Sequence, residues 1–476
     1  MSINGIARKP KGSPNTSRFE PSAEISGYPI YLKGVDMKKI LVLGAGLVGR
    51  PLVRYLLEEP EFHVTVATRT LSKAEKLIDR HPRGTAKSLN VEDTTALKAF
   101  ISSADLVISL LPWTHHIDVA THCIESRKHL VTTSYVKPEM QALDAEAKNS
   151  GLLFLNEIGV DPGIDHMAAM QVIDGTKKEG GEIVSFYSYC GGLPALESNN
   201  NPFGYKFSWS PEGVMLAANN NGRYLKDGQV VQVTSEKLFE HYWLVDVPGV
   251  GTFEAYVNRD ALPYIDIYGI QTVHSMYRGT LRNIGHCESW NFFKKLGLFD
   301  QDRQFPLQGM SPRRVMAELI GSDGEHLVKD MASFLGIPEY SVTIKKMAWL
   351  GLLSDHKVPL SDASPFDLLA HLMQKKLIFK DGEADLLVQH HEFIVEFRQD
   401  RKEKITATMV ETGVPGEDSA MARTVGLPAA IAAGLILKGK ITLSGVRIPV
   451  VPEIYEPVLT ELGTMGIGFE ERRTPV

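Results

Sequence analysis

An α/β fold is what the 476-residue sequence predicts: a parallel sheet covered by helices, then a mixed α+β region interrupted by a helical insertion. Three observations carry that reading. From Lys38, short Val/Ile/Leu-rich runs alternate with amphipathic stretches, the pattern of strands buried on both faces. After about residue 165, aromatic strand-and-turn segments such as "GEIVSFYSYCGGLP" take over, punctuated by Gly, Pro and Asn. From 285 to 376 the apolar spacing becomes helical, as in "ESWNFFKKLGLF", "RRVMAELIG" and "PFDLLAHLMQKKLI".

Taken in order, the first unit offers strands at 38–44 (KKILVLG), 63–68 (HVTVAT), 86–90 (AKSLN), 105–111 (DLVISLL), 129–133 (HLVTT) and 152–157 (LLFLNE), with helices between them. It spans 37–165, the usual size of a dinucleotide-binding domain. A second α+β region covers 166–284, is interrupted by helices over 285–376 and resumes over 377–424. There "ADLLVQHHEFIVEF" and "EKITATMVETG" read as a strand pair. Residues 1–36 are rich in Ser, Pro, Gly and Lys and lack an apolar run, so they read as a disordered leader or a misplaced start ahead of Met37, not as a secretory signal.

Composition narrows the function. A net charge of -6 gives no basic surplus for nucleic acid or an anionic membrane, which leaves a small molecule as the expected partner. Cys123, Cys190 and Cys287 are scattered without C-x-x-C spacing, which fits neither a zinc site nor a disulfide scaffold; a reducing cytoplasm is the default. The apolar run "VGLPAAIAAGLIL" (425–437) is shorter than the roughly 20 residues that cross a bilayer, and its Ala and Gly suit a tightly packed buried helix.

The first chemical motif is "LVLGAGLVGRPLVRYLL". It sets Gly44, Gly46 and Gly49 in G-x-G-x-x-G spacing where a strand ends and a helix opens, the arrangement that admits a pyrophosphate to the helix N-terminus. The second strand then separates the two nicotinamide cofactors. Where an NAD site carries an acid for the ribose 2'-hydroxyl, this chain reads Thr68, Arg69, Thr70. A guanidinium there can pair with a 2'-phosphate, so NADP(H) is favoured over NAD; otherwise Arg69 is a loop cation stacking on adenine in an enzyme that accepts both.

Longer segments carry a resemblance. "NEIGVDPGIDHM", "SYCGGLPA", "NPFGYKFSWSPEGV", "NRDALPY", "RGTLRNIG" and "AWLGLLSD" are similar to the matching segments of the saccharopine dehydrogenase family, in its NADP-dependent, L-glutamate-forming branch, from about Met37 to the C-terminus. The resemblance implies a variant Rossmann domain completed by 425–476, an α+β domain that binds substrate and forms a homodimer, and an inserted α-helical domain. It implies that saccharopine, NADP and water are interconverted with L-glutamate, 2-aminoadipate 6-semialdehyde and NADPH, by hydride transfer at an imine carbon, in lysine metabolism. The cofactor contacts it implies fall on Gly46, Leu47, Val48 and Gly49, on Thr68, Arg69 and Thr70, on Asn90 and Val91, on Leu111, on Thr133 and Ser134, on Val160, Asp161 and Pro162, and on Ser210. Those for saccharopine fall on Ser134, Tyr135, Asp161, Arg259, Thr280, Leu281 and Arg282. One departure is visible: where fungal members read Ser-Ser-Arg-Gly after the Trp, this chain has "WSPEG", which sets Pro211 and Glu212 beside Ser210.

The chemistry of a tricarboxylate with two amines agrees with these positions, since Arg259 and Arg282 can clamp carboxylates and Asp161 can hold an ammonium. Asp161 followed by Pro162 also reads as an N-cap and first helical residue ahead of "IDHMAAMQVI". Asp165 and His166 lie one turn on; hydride transfer to an imine needs no metal, so none is expected, and His166 reads as a hydrogen-bonded structural histidine. Tyr135, Asp161 and Cys190 are the candidates for moving protons, although Cys190 serves equally as an apolar filler and the substrate's own amines can carry protons. Two other readings share the fold: an enzyme for a carboxy-polyamine, and a non-catalytic NADP-binding regulator. The cofactor reading predicts that Arg69→Ala raises KM for NADP roughly tenfold or more while KM for NAD changes little, as steady-state kinetics with each cofactor would show.

Overall fold

The structure, a computed structural model, describes residues 37–306 and 309–476; the expected leader lies outside them. Six strands follow one another as the alternation predicts: β1 (Lys38–Leu43), β2 (Phe62–Thr68), β3 (Gly84–Ser88), β4 (Leu106–Ser109), β5 (His129–Thr132) and β6 (Leu153–Leu155). All pair in parallel, and the strand Gly445–Arg447 joins beside β6, giving the order Gly445–Arg447, β6, β5, β4, β1, β2, β3. Because every strand points the same way, every following loop emerges on one edge. Strand order reverses between β1 and β4, where a crevice opens for a ligand.

Two strands end earlier than the apolar runs that announce them. Beyond Ser109 only the Leu110 amide still reaches the sheet, at the Leu43 carbonyl. Past Leu155 the chain turns at Glu157, whose φ of 56° takes it out of extended geometry. The Glu157 carboxylate then accepts from the Val136 amide at 2.9 Å and ties the loops after β5 and β6 together.

The apolar run near the C-terminus becomes the helix Ala420–Leu437, buried almost throughout. Among the described residues it is long and apolar enough to cross a membrane, yet it lies inside the fold. It packs on the helix Gly49–Glu58, which buries Pro51, Leu52, Val53, Leu56 and Leu57. Gly426 makes this approach possible: a methyl there would sit 2.7 Å from the Val48 carbonyl oxygen. Farther on, Tyr455 donates to Asp174 at 2.6 Å and docks the helix Pro452–Thr464 on the helix Ile164–Lys178.

The second sheet has nine strands, with Tyr242–Val247, Gly251–Val257, Ser275–Arg282, Glu182–Pro194, Asp385–Glu396, Lys402–Thr412 and Glu470–Pro475 along its path and the hairpin Gly222–Lys226/Gln229–Val233 at its side. The expected strand pair is present as Asp385–Glu396 against Lys402–Thr412, antiparallel over eleven residue pairs. One correction concerns the end of the segment 425–476. Its last strand, Glu470–Pro475, pairs with Lys402–Thr412 in the second sheet, where Glu470, Glu471, Arg472 and Arg473 give the sheet a charged edge. The helices of the insertion run at His286–Lys295, Pro312–Ile320, Leu327–Leu335, Val342–Leu350 and Pro365–Lys376.

Candidate active site

Nearly all the cofactor positions lie on one edge of the first sheet. Gly44 to Gly49 follow β1, Thr68 to Thr70 end β2 and start its loop, Asn90 and Val91 follow β3, Leu111 follows β4, Thr133 and Ser134 follow β5, and Val160 to Pro162 follow β6. The glycines fit a dinucleotide. Gly44 is buried at φ 102°, in the left-handed region, and a side chain there would meet the Leu110 carbonyl. Gly46 is exposed with nothing within 4 Å of an added Cβ, so its backbone lies open to a phosphate. Gly49 is buried against Leu77 and opens a helix whose N-terminus has no side-chain cap, leaving amides for an anion. Arg69 is exposed. Ser210 stands apart on the second region, where its hydroxyl caps the helix Pro211–Ala217 through the Gly213 amide at 3.1 Å. Pro211 and Glu212 are good first-turn residues for that helix, which gives the local departure a structural reason.

The opposite wall comes from the second sheet. In the strand Ser275–Arg282, Arg278, Thr280 and Arg282 alternate onto one face. Thr280 pairs in register with Cys190, which pairs with Gln389. Leu281 points to the other face and is fully buried, so only its main chain is available to a ligand.

The walls meet at Asp161. One carboxylate oxygen accepts from the Tyr135 hydroxyl at 2.6 Å and from the Arg278 guanidinium at 2.7 Å; the other accepts from the Asn258 amide at 3.4 Å. Arg278 also pairs with Asp165, so a single buried guanidinium stands between the two aspartates. Asp161 is therefore not the N-cap that Asp-Pro foretells. The helix starts at Ile164; the Asp165 carboxylate accepts from the Gly163 amide at 2.6 Å, while the buried arginine draws Asp161 into the crevice. Gly163, at φ 147°, closes the preceding turn so tightly that a Cβ would lie 2.1 Å from the Gly159 oxygen. His166 is hydrogen bonded on both ring nitrogens, to Tyr268 at 2.6 Å and Glu157 at 2.8 Å. Among the described residues no group of three or more His, Cys, Asp or Glu side chains is placed to hold a metal ion.

Electrostatics separate the candidate proton carriers. Burial, then the Asp161 charge, pushes the Tyr135 hydroxyl well above its ordinary pKa, so it stays a donor. Burial, then Asp161 and Asp165, likewise pushes the Cys190 thiol well up, which keeps it protonated. For Glu157, burial alone would raise the carboxyl, but the contacts with His166, the Val136 amide and Arg278 hold it below its ordinary value.

Two cations remain unanswered. Arg259 stacks over the Tyr135 ring at 3.3 Å, and Arg282, 7 % exposed, lies over Tyr205 at 4.9 Å and donates to the Leu281 carbonyl at 3.0 Å. Among the described residues neither forms an ion pair with a carboxylate, and the Nε of each, like Arg278 Nη1, is buried without a hydrogen-bond partner. A buried guanidinium with unspent donors is costly unless an anion completes it. Sequence reasoning missed Arg278 and Asn258. Arg278 was within reach of it, two residues before Thr280 on an alternating strand; Asn258 has no such periodic signal.

The comparisons agree along most of the described chain. Residues 40–155 match the family model described as "Saccharopine dehydrogenase NADP binding domain", and 159–467 match "Saccharopine dehydrogenase C-terminal domain". The chain is 38% identical over 448 residues to saccharopine dehydrogenase [NADP(+), L-glutamate-forming] of Schizosaccharomyces pombe, covering 91% of this chain and 99% of that one. The mitochondrial alpha-aminoadipic semialdehyde synthase of Bos taurus is 36% identical over 92% of this chain, which spans 48% of that longer protein. In structure the chain is similar to apo saccharopine dehydrogenase (L-Glu forming) from Saccharomyces cerevisiae, with a TM-score of 0.84 and 36% identity over 92% of this chain and 100% of that one.

Stability should respond to acid in a defined window. Burial lowers His116 to about 4 and His391 to about 3 from an ordinary 6.5. Between those limits the unfolded chain binds protons that the folded chain refuses, so stability falls as pH drops through that range. Urea midpoints are expected to decline from about pH 6.5 toward pH 4, less steeply in His116→Gln; a midpoint constant across the window would contradict the burial of these rings.

Proposed function

The chain belongs to the saccharopine dehydrogenase family, and from that premise we propose that it is an NADP-dependent, L-glutamate-forming enzyme of lysine metabolism. Saccharopine, NADP and water yield L-glutamate, 2-aminoadipate 6-semialdehyde, NADPH and a proton, and the reaction runs both ways. The observation that carries the reading is the pair of arginines, Arg259 and Arg282, with no carboxylate partner among the described residues, beside an acid already held in place by Arg278.

Gly44 to Gly49 and the loops on the same edge of the first sheet would hold NADP(H), which when bound would supply the hydride chemistry at the C–N carbon. The chain's residues do the rest. Arg259 and Arg282 receive substrate carboxylates, which supply the charge these cations lack. Asp161 has one oxygen engaged only at 3.4 Å, so that oxygen can accept from a substrate ammonium. Tyr135 donates to the other oxygen and forms with it a pair able to pass a proton as the imine is made or hydrolysed. Cys190 lines the same face as a protonated thiol.

The same proposal covers assembly and location. A homodimer follows from the resemblance and is supported by the apolar Tyr242 and Leu244 exposed on the edge strand Tyr242–Val247. A cytoplasmic setting is supported by three cysteines that are all free.

Purified protein given saccharopine should reduce NADP faster than NAD, read as the growth of reduced-nicotinamide absorbance. Arg282→Met should raise KM for saccharopine roughly 10- to 100-fold, the loss of a charge-assisted hydrogen bond, with KM for NADP unchanged. Cofactor binding without saccharopine-dependent reduction would overturn the proposal.

A further inference from the structure

His116 opens the helix His116–Ser126 and lies 5 % exposed beneath the C-terminal edge of the first sheet. Its Nδ1 faces the Ser109 hydroxyl at 3.0 Å. Its Nε2 faces two hydroxyl oxygens, Ser134 at 2.8 Å and Thr132 at 3.1 Å. Ser109 and Thr132 are the last residues of β4 and β5 and are paired in register, so the ring spans the ends of both strands. It thereby reaches the loop that carries Ser134 and Tyr135 into the crevice.

The main chain of that loop is already fixed. The Ser134 carbonyl accepts from the Glu157 amide at 3.1 Å, the Val136 amide donates to the Glu157 carboxylate, and the Ser134 amide donates to the Thr132 hydroxyl at 3.3 Å. What remains to be set is the direction of the Ser134 O–H bond. Burial, aided by His115, pushes the His116 pKa down to about 4, so the ring is neutral near pH 7 and carries one N–H.

The geometry around Nε2 tells where that hydrogen is. A lone pair on Nε2 accepts one hydroxyl hydrogen well and leaves the second oxygen facing a filled orbital. A hydrogen on Nε2 attracts both oxygens at once, and Nδ1 then accepts from the buried Ser109 hydroxyl. We infer that His116 is a positioning residue: as the Nε2–H tautomer it holds the Ser134 oxygen by donating to it, which leaves the Ser134 hydroxyl hydrogen to be donated into the crevice, to an acceptor oxygen of the dinucleotide or of the substrate. This deepens the reading of the site as that of a saccharopine dehydrogenase, and rests on it only for the identity of the recipient.

The test has two parts. Protein labelled with 15N in histidine gives ring signals for His116, assigned by their loss in His116→Gln. Nε2 is expected to be the protonated nitrogen, and Ser134→Ala is expected to move its signal more than that of Nδ1. The opposite tautomer, or an Nε2 indifferent to Ser134→Ala, would overturn the inference; this readout needs no turnover and so stands even if the substrate assignment fails. In steady-state assays His116→Asn, which reaches only toward Ser109, should lower kcat/KM about tenfold, the worth of one hydrogen bond. His116→Gln, whose amide can stand near the Nε2 position, should recover most of that loss. Ser134→Ala should add little once His116→Asn is present. A rise in KM for NADP would make the dinucleotide the recipient, and a rise in KM for saccharopine would make it the substrate; fully additive losses would overturn the proposal.

Discussion

Arg278 carries a positive charge into the interior with 1 % of its surface exposed, and the neighbouring residues are arranged to answer it. Asp165 pairs with it from the first turn of the helix Ile164–Lys178, and Asp161 pairs with it from the loop before that helix. Tyr264 lies under the guanidinium at 4.3 Å, and the Tyr135 hydroxyl stands at 3.4 Å. The arginine belongs to the second sheet and the aspartates to the chain that leaves the first. The ion pairs therefore place the two walls of the crevice relative to one another and hold the Asp161 oxygens toward the space between them. A buried cation of this kind contributes little net stability over an apolar replacement, yet losing one partner leaves a charge stranded. Geometry is what it provides.

The same strand shows the complementary device. Four residues on from Arg278, Arg282 is nearly as buried and forms no ion pair among the described residues; its cross-strand neighbour Glu254 is spent on the amides of Gly285 and Cys287 at the start of the helix His286–Lys295. Along one face the chain thus moves from a cation with its anions supplied to a cation whose anion must arrive. With Arg259 on the rim, this arrangement discriminates in favour of a ligand rich in carboxylates, in a protein whose own net charge is negative.

Much of the first sheet was legible because its signals are local. The alternation of β-branched runs placed six strands, and the glycine spacing placed the helix N-terminus, since both depend on residues a few positions apart. The end of β6 was not legible, because a positive φ at Glu157 and a bond to Val136 decide it, and neither leaves a periodic trace. The same holds for Asp161. Asp-Pro before an apolar helix is a sound local sign of a cap, but a guanidinium 117 positions away competes for the carboxylate and wins, because burial makes its need greater. The strand Glu470–Pro475 crosses to the second sheet through pairing with residues about 70 positions earlier, which no window of sequence reveals.

The claim that one buried cation organises the crevice is tested most directly by the free energy of urea unfolding in a cycle of Arg278→Met, Asp165→Asn and the double variant. The account predicts that Arg278→Met alone loses about 3–5 kcal/mol, because two carboxylates are stranded, and that adding Asp165→Asn restores part of the loss. An Arg278→Met protein as stable as the parent, or a double variant that suffers the full sum of the two losses, would contradict it.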